Sequence, residues 1–171
     1  MINTNNILLD VCNISIEAGL IINQYYKKKN QIINKEDNSP LTQADIRSND
    51  FIIKSLNQLN PKIPILSEEK FVDWNIRKKW TKYWLIDPLD GTKEFIKESD
   101  EFTVNIALIS NNEPILGVIY APQLLKLYYA NNNQGSFRLN CDKKIKSLSE
   151  SVKINTRDKK STDKYYIYGS K

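Results

Sequence analysis

The chain has 171 residues, 40% of them hydrophobic, a formal net charge of +5 and no histidine. That is the size of one domain with a real core, and the charge suits an anionic ligand and plain solubility equally. The missing imidazoles exclude histidine general bases, Ser-His triads and zinc sites built on histidine. Any hydrolysis falls to carboxylates, hydroxyls, lysines or a bound metal.

Cys12 and Cys141 stand far apart and outside any C-x-x-C pattern, which suits a reducing cytosol. No signal-peptide pattern opens the chain, and no stretch reads as long and apolar enough to span a bilayer. Ile7, Val11, Ile14, Ala18, Ile21 and Tyr25 recur at steps of four and three. The spacing predicts a helix that begins near Asn3 or Thr4 and ends in Lys27-Lys28-Lys29, with Cys12 a small buried side chain beside its apolar face.

Gln31 to Ile33 suits a short strand, and Lys35 to Pro40 a polar turn. A second helix is predicted from about Thr42, with Ala44, Phe51, Ile52, Leu56 and Leu59 as its apolar positions and Pro61 and Pro64 ending it. Asp45 falls in its first turn, a placement that the helix dipole favours by itself. Ile63 to Leu66 reads as a buried strand delivering Ser67-Glu68-Glu69. Lys70 to Tyr83 follows as a loop or short helix. Its Arg77-to-Lys82 mixture of basic and aromatic residues reads as a solvated face with Trp packed inward rather than as a nucleic-acid surface.

Trp84-Leu85-Ile86 reads as a second buried strand, running into Asp87-Pro88-Leu89-Asp90-Gly91-Thr92. Pro88 biases Asp87 toward extended backbone, and Gly91 permits a turn that a side chain would obstruct. Asp90 is the predicted N-cap of a helical turn over Thr92 to Phe95. Two carboxylates at a strand end suit a hard cation such as Mg²⁺, and free backbone N–H groups beyond them suit phosphate. Together they describe a site for phosphoryl hydrolysis.

Beyond this point the period becomes two. Strands are predicted at Phe102 to Leu108, Ile115 to Tyr120, Lys126 to Ala130, Ser136 to Leu139 and Val152 to Ile154, with a turn at Asn111 to Pro114. Cys141 to Thr162 reads as a Lys- and Ser-rich connector, and Lys164 to Tyr168 as one more strand. The expected fold class is α+β, with two N-terminal helices packed on a mostly antiparallel sheet.

Five ordered blocks carry a resemblance: Asp37 to Asp45, Pro64 to Glu69, Tyr83 to Ile96, Glu101 to Ile109 and Pro114 to Pro122. Together they resemble the inositol monophosphatase superfamily, a layered sugar-phosphatase-like α/β sandwich. Thr92-Lys93-Glu94-Phe95 resembles its 3'(2'),5'-bisphosphate nucleotidase branch more than its inositol branch. The resemblance implies Mg²⁺-dependent, lithium-sensitive hydrolysis of adenosine 3',5'-bisphosphate to AMP and phosphate, a step of sulfur metabolism and nucleotide recycling.

It implies one metal held by Glu68, Asp87 and the Leu89 carbonyl, and a second shared by Asp87 and Asp90. Gly91 and Thr92 match residues that contact the phosphate, so that Glu68, Leu89, Asp90, Gly91 and Thr92 line the substrate side. Asp45 orients the Thr92 hydroxyl, and the pair positions the attacking water. The location implied is cytoplasmic, free or peripheral on the cytoplasmic face of the inner membrane. The partner is a small-molecule bisphosphate rather than nucleic acid.

Members of the superfamily carry a second domain that adds an aspartate from a Trp-Asp motif, and no Trp-Asp follows the hairpins here. The expected organisation is therefore a metal-binding N-terminal domain over residues 1–160, with 161–171 the first strand of a missing C-terminal domain. An unfinished sheet of that kind is also compatible with a homo-oligomer. The alternatives are a remnant that binds metal or nucleotide without turnover, or a phosphatase acting on inositol or sugar phosphates.

Overall fold

A computed structural model describes residues 4–28, 33–34, 40–132 and 134–156. The Lys29 end of the predicted first helix, Gln31 and Ile32, the turn over 35–39 and the last strand, with all of 161–171, lie outside the described residues. The elements run α1 (Thr4–Asn23), β1 (Ile33–Asn34), β2 (Pro40–Leu41), α2 (Gln43–Leu59), β3 (Ile65–Ser67) and α3 (Trp74–Arg77). They continue β4 (Lys82–Asp90), α4 (Thr92–Ile96), β5 (Thr103–Ser110), β6 (Glu113–Ala121), β7 (Lys126–Asn131), β8 (Gly135–Asn140) and β9 (Val152–Ile154).

Strands β3 to β9 form one seven-stranded sheet in chain order, and β1 pairs with β2 apart from it. Only β3 and β4 are parallel in the large sheet; every other neighbouring pair is antiparallel. The α+β expectation of two helices on a mostly antiparallel sheet holds. Alternation explains which face the helices cover. Trp84 and Ile86, Val104, Ile106 and Leu108, Leu116, Val118 and Tyr120, and Leu127 and Tyr129 all point to the buried side. The β5–β6 hairpin turns on Asn111 and Asn112, both at positive φ, which Asn tolerates and two-residue hairpin loops demand.

Helix α1 packs on both α2 and strands β5, β6 and β7. Burial on two sides widens its apolar stripe and moves its centre to Leu8, Val11, Cys12, Ile16, Gly19 and Ile22. The predicted positions Ile7, Ile14 and Tyr25 are only partly buried. The helix ends at Asn23 rather than in the lysines, and Lys27 sits in a left-handed turn. By length and composition alone α1 is apolar enough to cross a membrane, contrary to the sequence reading. More than half of that stretch is buried against the protein itself.

The predicted connector after Cys141 folds back onto α1. The Asn13 side chain donates to the Ile145 carbonyl at 3.0 Å and accepts from the Ile145 N–H at 2.8 Å. In the segment before β4, Trp80 is partly buried beside Tyr83, their ring centroids 6.0 Å apart, after exposed lysines. Trp74 is 61% exposed, with Phe71 and Ile76 also open, because α3 spans only four residues and buries none of them. The Arg77 guanidinium lies over the Trp74 ring, 5.2 Å from its centroid.

Candidate active site

Strand β4 does not stop at Asp87 but continues to Asp90, through a register shift against β5. Asp87 pairs with Asn105 and Asp90 with Thr103. Three steps on β4 thus face two on β5, and the extra residue is a β-bulge. In a regular strand Asp87 and Asp90 would point to opposite faces. Here Pro88 and Leu89 are both buried and the two aspartates share the open face. Pro88 is tolerated because the bulge leaves one backbone position out of the ladder.

Parallel pairing of β3 with β4 sets Ser67 beside Ile86, and the Glu68 N–H donates to the Ile86 carbonyl at 3.1 Å. Glu68 therefore emerges next to Asp87. The Asp87 carboxyl is pushed up to about 8, first by burial, then by the Glu68 charge and a side-chain hydrogen bond with Glu68, then by Asp90. Its Oδ1 is buried with no hydrogen-bond partner. The predicted trio is thus together, though not as a closed cage. Among the described residues no three acidic, Cys or His side chains stand at metal-site spacing, and Asp90 Oδ2 accepts from the Asn105 amide at 3.1 Å. An orphaned buried oxygen among mutually repelling carboxylates fits a hard divalent cation, which would relieve both costs.

Asp45 and Thr92 complete the expected set from below. Thr42 caps α2, and its N–H and hydroxyl both donate to Asp45 Oδ2, at 2.8 and 2.6 Å. The other oxygen, Oδ1, accepts the Thr92 hydroxyl at 2.9 Å. Asp45 is fully buried, so it is a fixed acceptor rather than a solvated one. The predicted cap of α4 needs correction: Gly91, at φ 91°, precedes the helix, not Asp90. A Cβ there would lie 2.8 Å from the Glu101 carbonyl oxygen, so the turn is reserved for glycine. Glu68, Leu89, Asp90, Gly91 and Thr92 line one cleft of about 190 Å³.

Sequence reasoning missed two side chains. Ser48 Oγ donates to the Pro88 carbonyl at 2.8 Å, and Ser67 Oγ donates to Asn49 Oδ1 at 2.7 Å, both buried. Asp45, Ser48 and Asn49 form one polar stripe on α2 at helical spacing. That stripe touches the three chain segments carrying Thr92, the bulge and Glu68. Its signal was an i, i+3, i+4 polar row opposite no charge pattern, which reads as solvated until the helix is packed. A second, larger cleft of about 660 Å³ opens beside the first, with Glu68, Asp87 and Asn105 at one end and apolar side chains such as Leu85 and Ile119 beyond.

The fold thus gathers carboxyl groups at one end of a mixed sheet, beside a glycine turn. Residues 6–169 match the model of the inositol monophosphatase family, and the chain belongs to that family. It is 51% identical over 125 residues to the 3'(2'),5'-bisphosphate nucleotidase CysQ of Salmonella typhimurium, covering 72% of this chain and 51% of that protein. To the enzyme of the same name from Haemophilus influenzae it is 41% identical over 154 residues, covering 89% of this chain and 57% of that one. The crystal structure of CysQ from Bacteroides thetaiotaomicron superposes with a TM-score of 0.76 at 34% identity, covering 93% of this chain and 60% of that one. The chain thus spans about half the length of the curated relatives it matches.

Proposed function

We propose that the chain forms the metal-binding half of a magnesium-dependent phosphomonoester hydrolase acting on a nucleotide 3',5'-bisphosphate such as adenosine 3',5'-bisphosphate. The observation that carries this reading is the orphaned Asp87 Oδ1, on a carboxyl group raised by both Glu68 and Asp90. The relatives named as bisphosphate nucleotidases support the substrate class.

In this reading Glu68, Asp87, Asp90 and the Leu89 carbonyl hold the cation. Bound there, it supplies positive charge that makes water more acidic and offsets charge on the phosphate. The chain's own residues do the rest. Asp45 takes the Thr92 hydroxyl proton as a hydrogen bond, which leaves a Thr92 lone pair to accept from a water and aim it. The Gly91 turn keeps side-chain bulk out of the phosphate's approach. Burial of Asp45 and its two bonds from Thr42 hold that acceptor still, so orientation costs little at the moment of reaction.

A phosphate-release assay with adenosine 3',5'-bisphosphate and Mg²⁺ tests the reading, with Asp90→Asn as control. Metal-dependent release that the control loses is the expected result; no release by the folded chain rejects catalysis by these residues alone. Asp90 is exposed and the acidic side chains among the described residues form no closed cage, which favours a second reading, binding of Mg²⁺ and nucleotide without turnover. Calorimetry showing magnesium-dependent nucleotide binding in the absence of phosphate release would select it. Rates on inositol 1-phosphate, measured beside the nucleotide, separate the remaining substrate class.

A further inference from the structure

Asn105 lies on the open face of β5, directly opposite Asp87 across the strand pair. Its Nδ2 donates to Asp90 Oδ2 at 3.1 Å, and its Oδ1 accepts the Thr103 hydroxyl at 3.0 Å. The direction of this relay follows from chemistry. An ionised carboxylate only accepts, so the amide must turn its N–H toward Asp90, leaving its oxygen for the Thr103 proton. The bulge is what makes the arrangement available, because it sets Asp90 beside Thr103 and Asp87 beside Asn105 on one face.

Three carboxyl groups crowd this end of the sheet, and Asp90 is the exposed one of the two on β4. A lysine or arginine at position 105 would hold Asp90 but would occupy the place of a cation with its own charge. An amide holds one carboxylate oxygen without adding charge, and Asp90 Oδ1 stays available. We propose that Asn105, itself held by Thr103, is the positioning residue that fixes the Asp90 carboxylate for a divalent cation. This inference rests on reading the cleft as a cation site.

Titration calorimetry of the full 171-residue chain with MgCl₂, without substrate, tests it. Asn105→Ala is expected to weaken Mg²⁺ binding about 10-fold, the scale of one lost hydrogen bond to a charged group. Thr103→Val is expected to weaken it less, about 3-fold on the same scale. Melting curves supply the readout that a purely structural role would not move: the rise in melting temperature on adding Mg²⁺ shrinks in both variants. Should Asn105→Ala fail to fold, Thr103→Val carries the same comparison. Wild-type binding of Mg²⁺ with unchanged affinity in the variants overturns this inference alone. No binding of Mg²⁺ by the wild-type chain overturns the cation site and this inference together.

Discussion

Asp45 on α2 and Thr92 on α4 are 47 residues apart in the chain and are joined by a 2.9 Å hydrogen bond donated by the Thr92 hydroxyl. Because Asp45 also accepts two bonds from Thr42, one carboxylate both caps α2 and fixes Thr92. Asp45→Ala is expected to cost about 1–2 kcal/mol of stability through the lost cap. In the proposed reaction it lowers turnover by about 10²- to 10⁴-fold, the usual weight of a proton-orienting group. Urea unfolding and phosphate release measure the two effects separately. A folded Asp45→Ala protein with wild-type turnover would remove Asp45 from the mechanism.

Ser48 and Asn49 make the next prediction. Ser48→Ala leaves the buried Pro88 carbonyl without its 2.8 Å donor, and Asn49→Ala leaves the Ser67 hydroxyl without its acceptor. Each is expected to destabilise the fold by about 1–3 kcal/mol, the penalty of an unsatisfied buried group. Chemical denaturation checks this, and losses below about 0.5 kcal/mol would mean that water replaces the missing partners.

Asp87 sets a pH dependence. Its carboxyl, ordinarily near 3.8, is pushed up to about 8 in the folded chain, by burial first and then by Glu68 and Asp90. The folded state keeps a proton that the unfolded state has lost. This contribution to stability is therefore fully present below about pH 4 and lost as the pH rises through about 8. A cation must displace that proton, so Mg²⁺ affinity is expected to rise with pH across the same window, with proton release on binding. Calorimetry in two buffers of different ionisation heat measures the release; identical heats would contradict it.

Gly19 is where α1 meets β6. A Cβ there would lie 2.6 Å from the Tyr120 ring and 2.9 Å from Pro122. Tyr120 is not free to swing away, since its hydroxyl donates to the Cys141 carbonyl at 3.0 Å. Gly19→Ala is expected to cost about 1–3 kcal/mol by overpacking. For a domain of this size that is a fall in melting temperature of about 2–4 °C per kcal/mol.

Both thiols are buried and pushed up by that burial, Cys12 to about 12 and Cys141 to about 11. They are expected to resist a thiol-exchange reagent at pH 8 until the chain is unfolded. Rapid labelling of the native protein would show that the region around α1 and β8 opens readily.

The sheet was largely legible because most of β5 and β7 alternates, with Val104, Ile106 and Leu108 as the plainest case. Asp87, Asp90 and Thr92 were legible as a motif. Their shared face was not, because a bulge is defined by the partner strand, and no local pattern in Asp87 to Asp90 encodes what lies opposite. The buried face of α1 was displaced in the reading because periodicity reports one contact surface and this helix has two. Trp74 and Ile76 carried no periodicity that placed them, and a helix of one turn has no face long enough to bury them.

The extra residue in β4 has a consequence for how this chain tolerates change in length. Removing either Pro88 or Leu89 would restore an even count against β5, and Asp90, then two residues from Asp87, would keep the open face while the strand lost its bulge and one buried side chain behind the carboxylates. A single-codon deletion there would straighten the edge that spaces the two carboxylates and disturb the buried carbonyl that Ser48 holds, whereas substitutions at the same two positions leave the count intact.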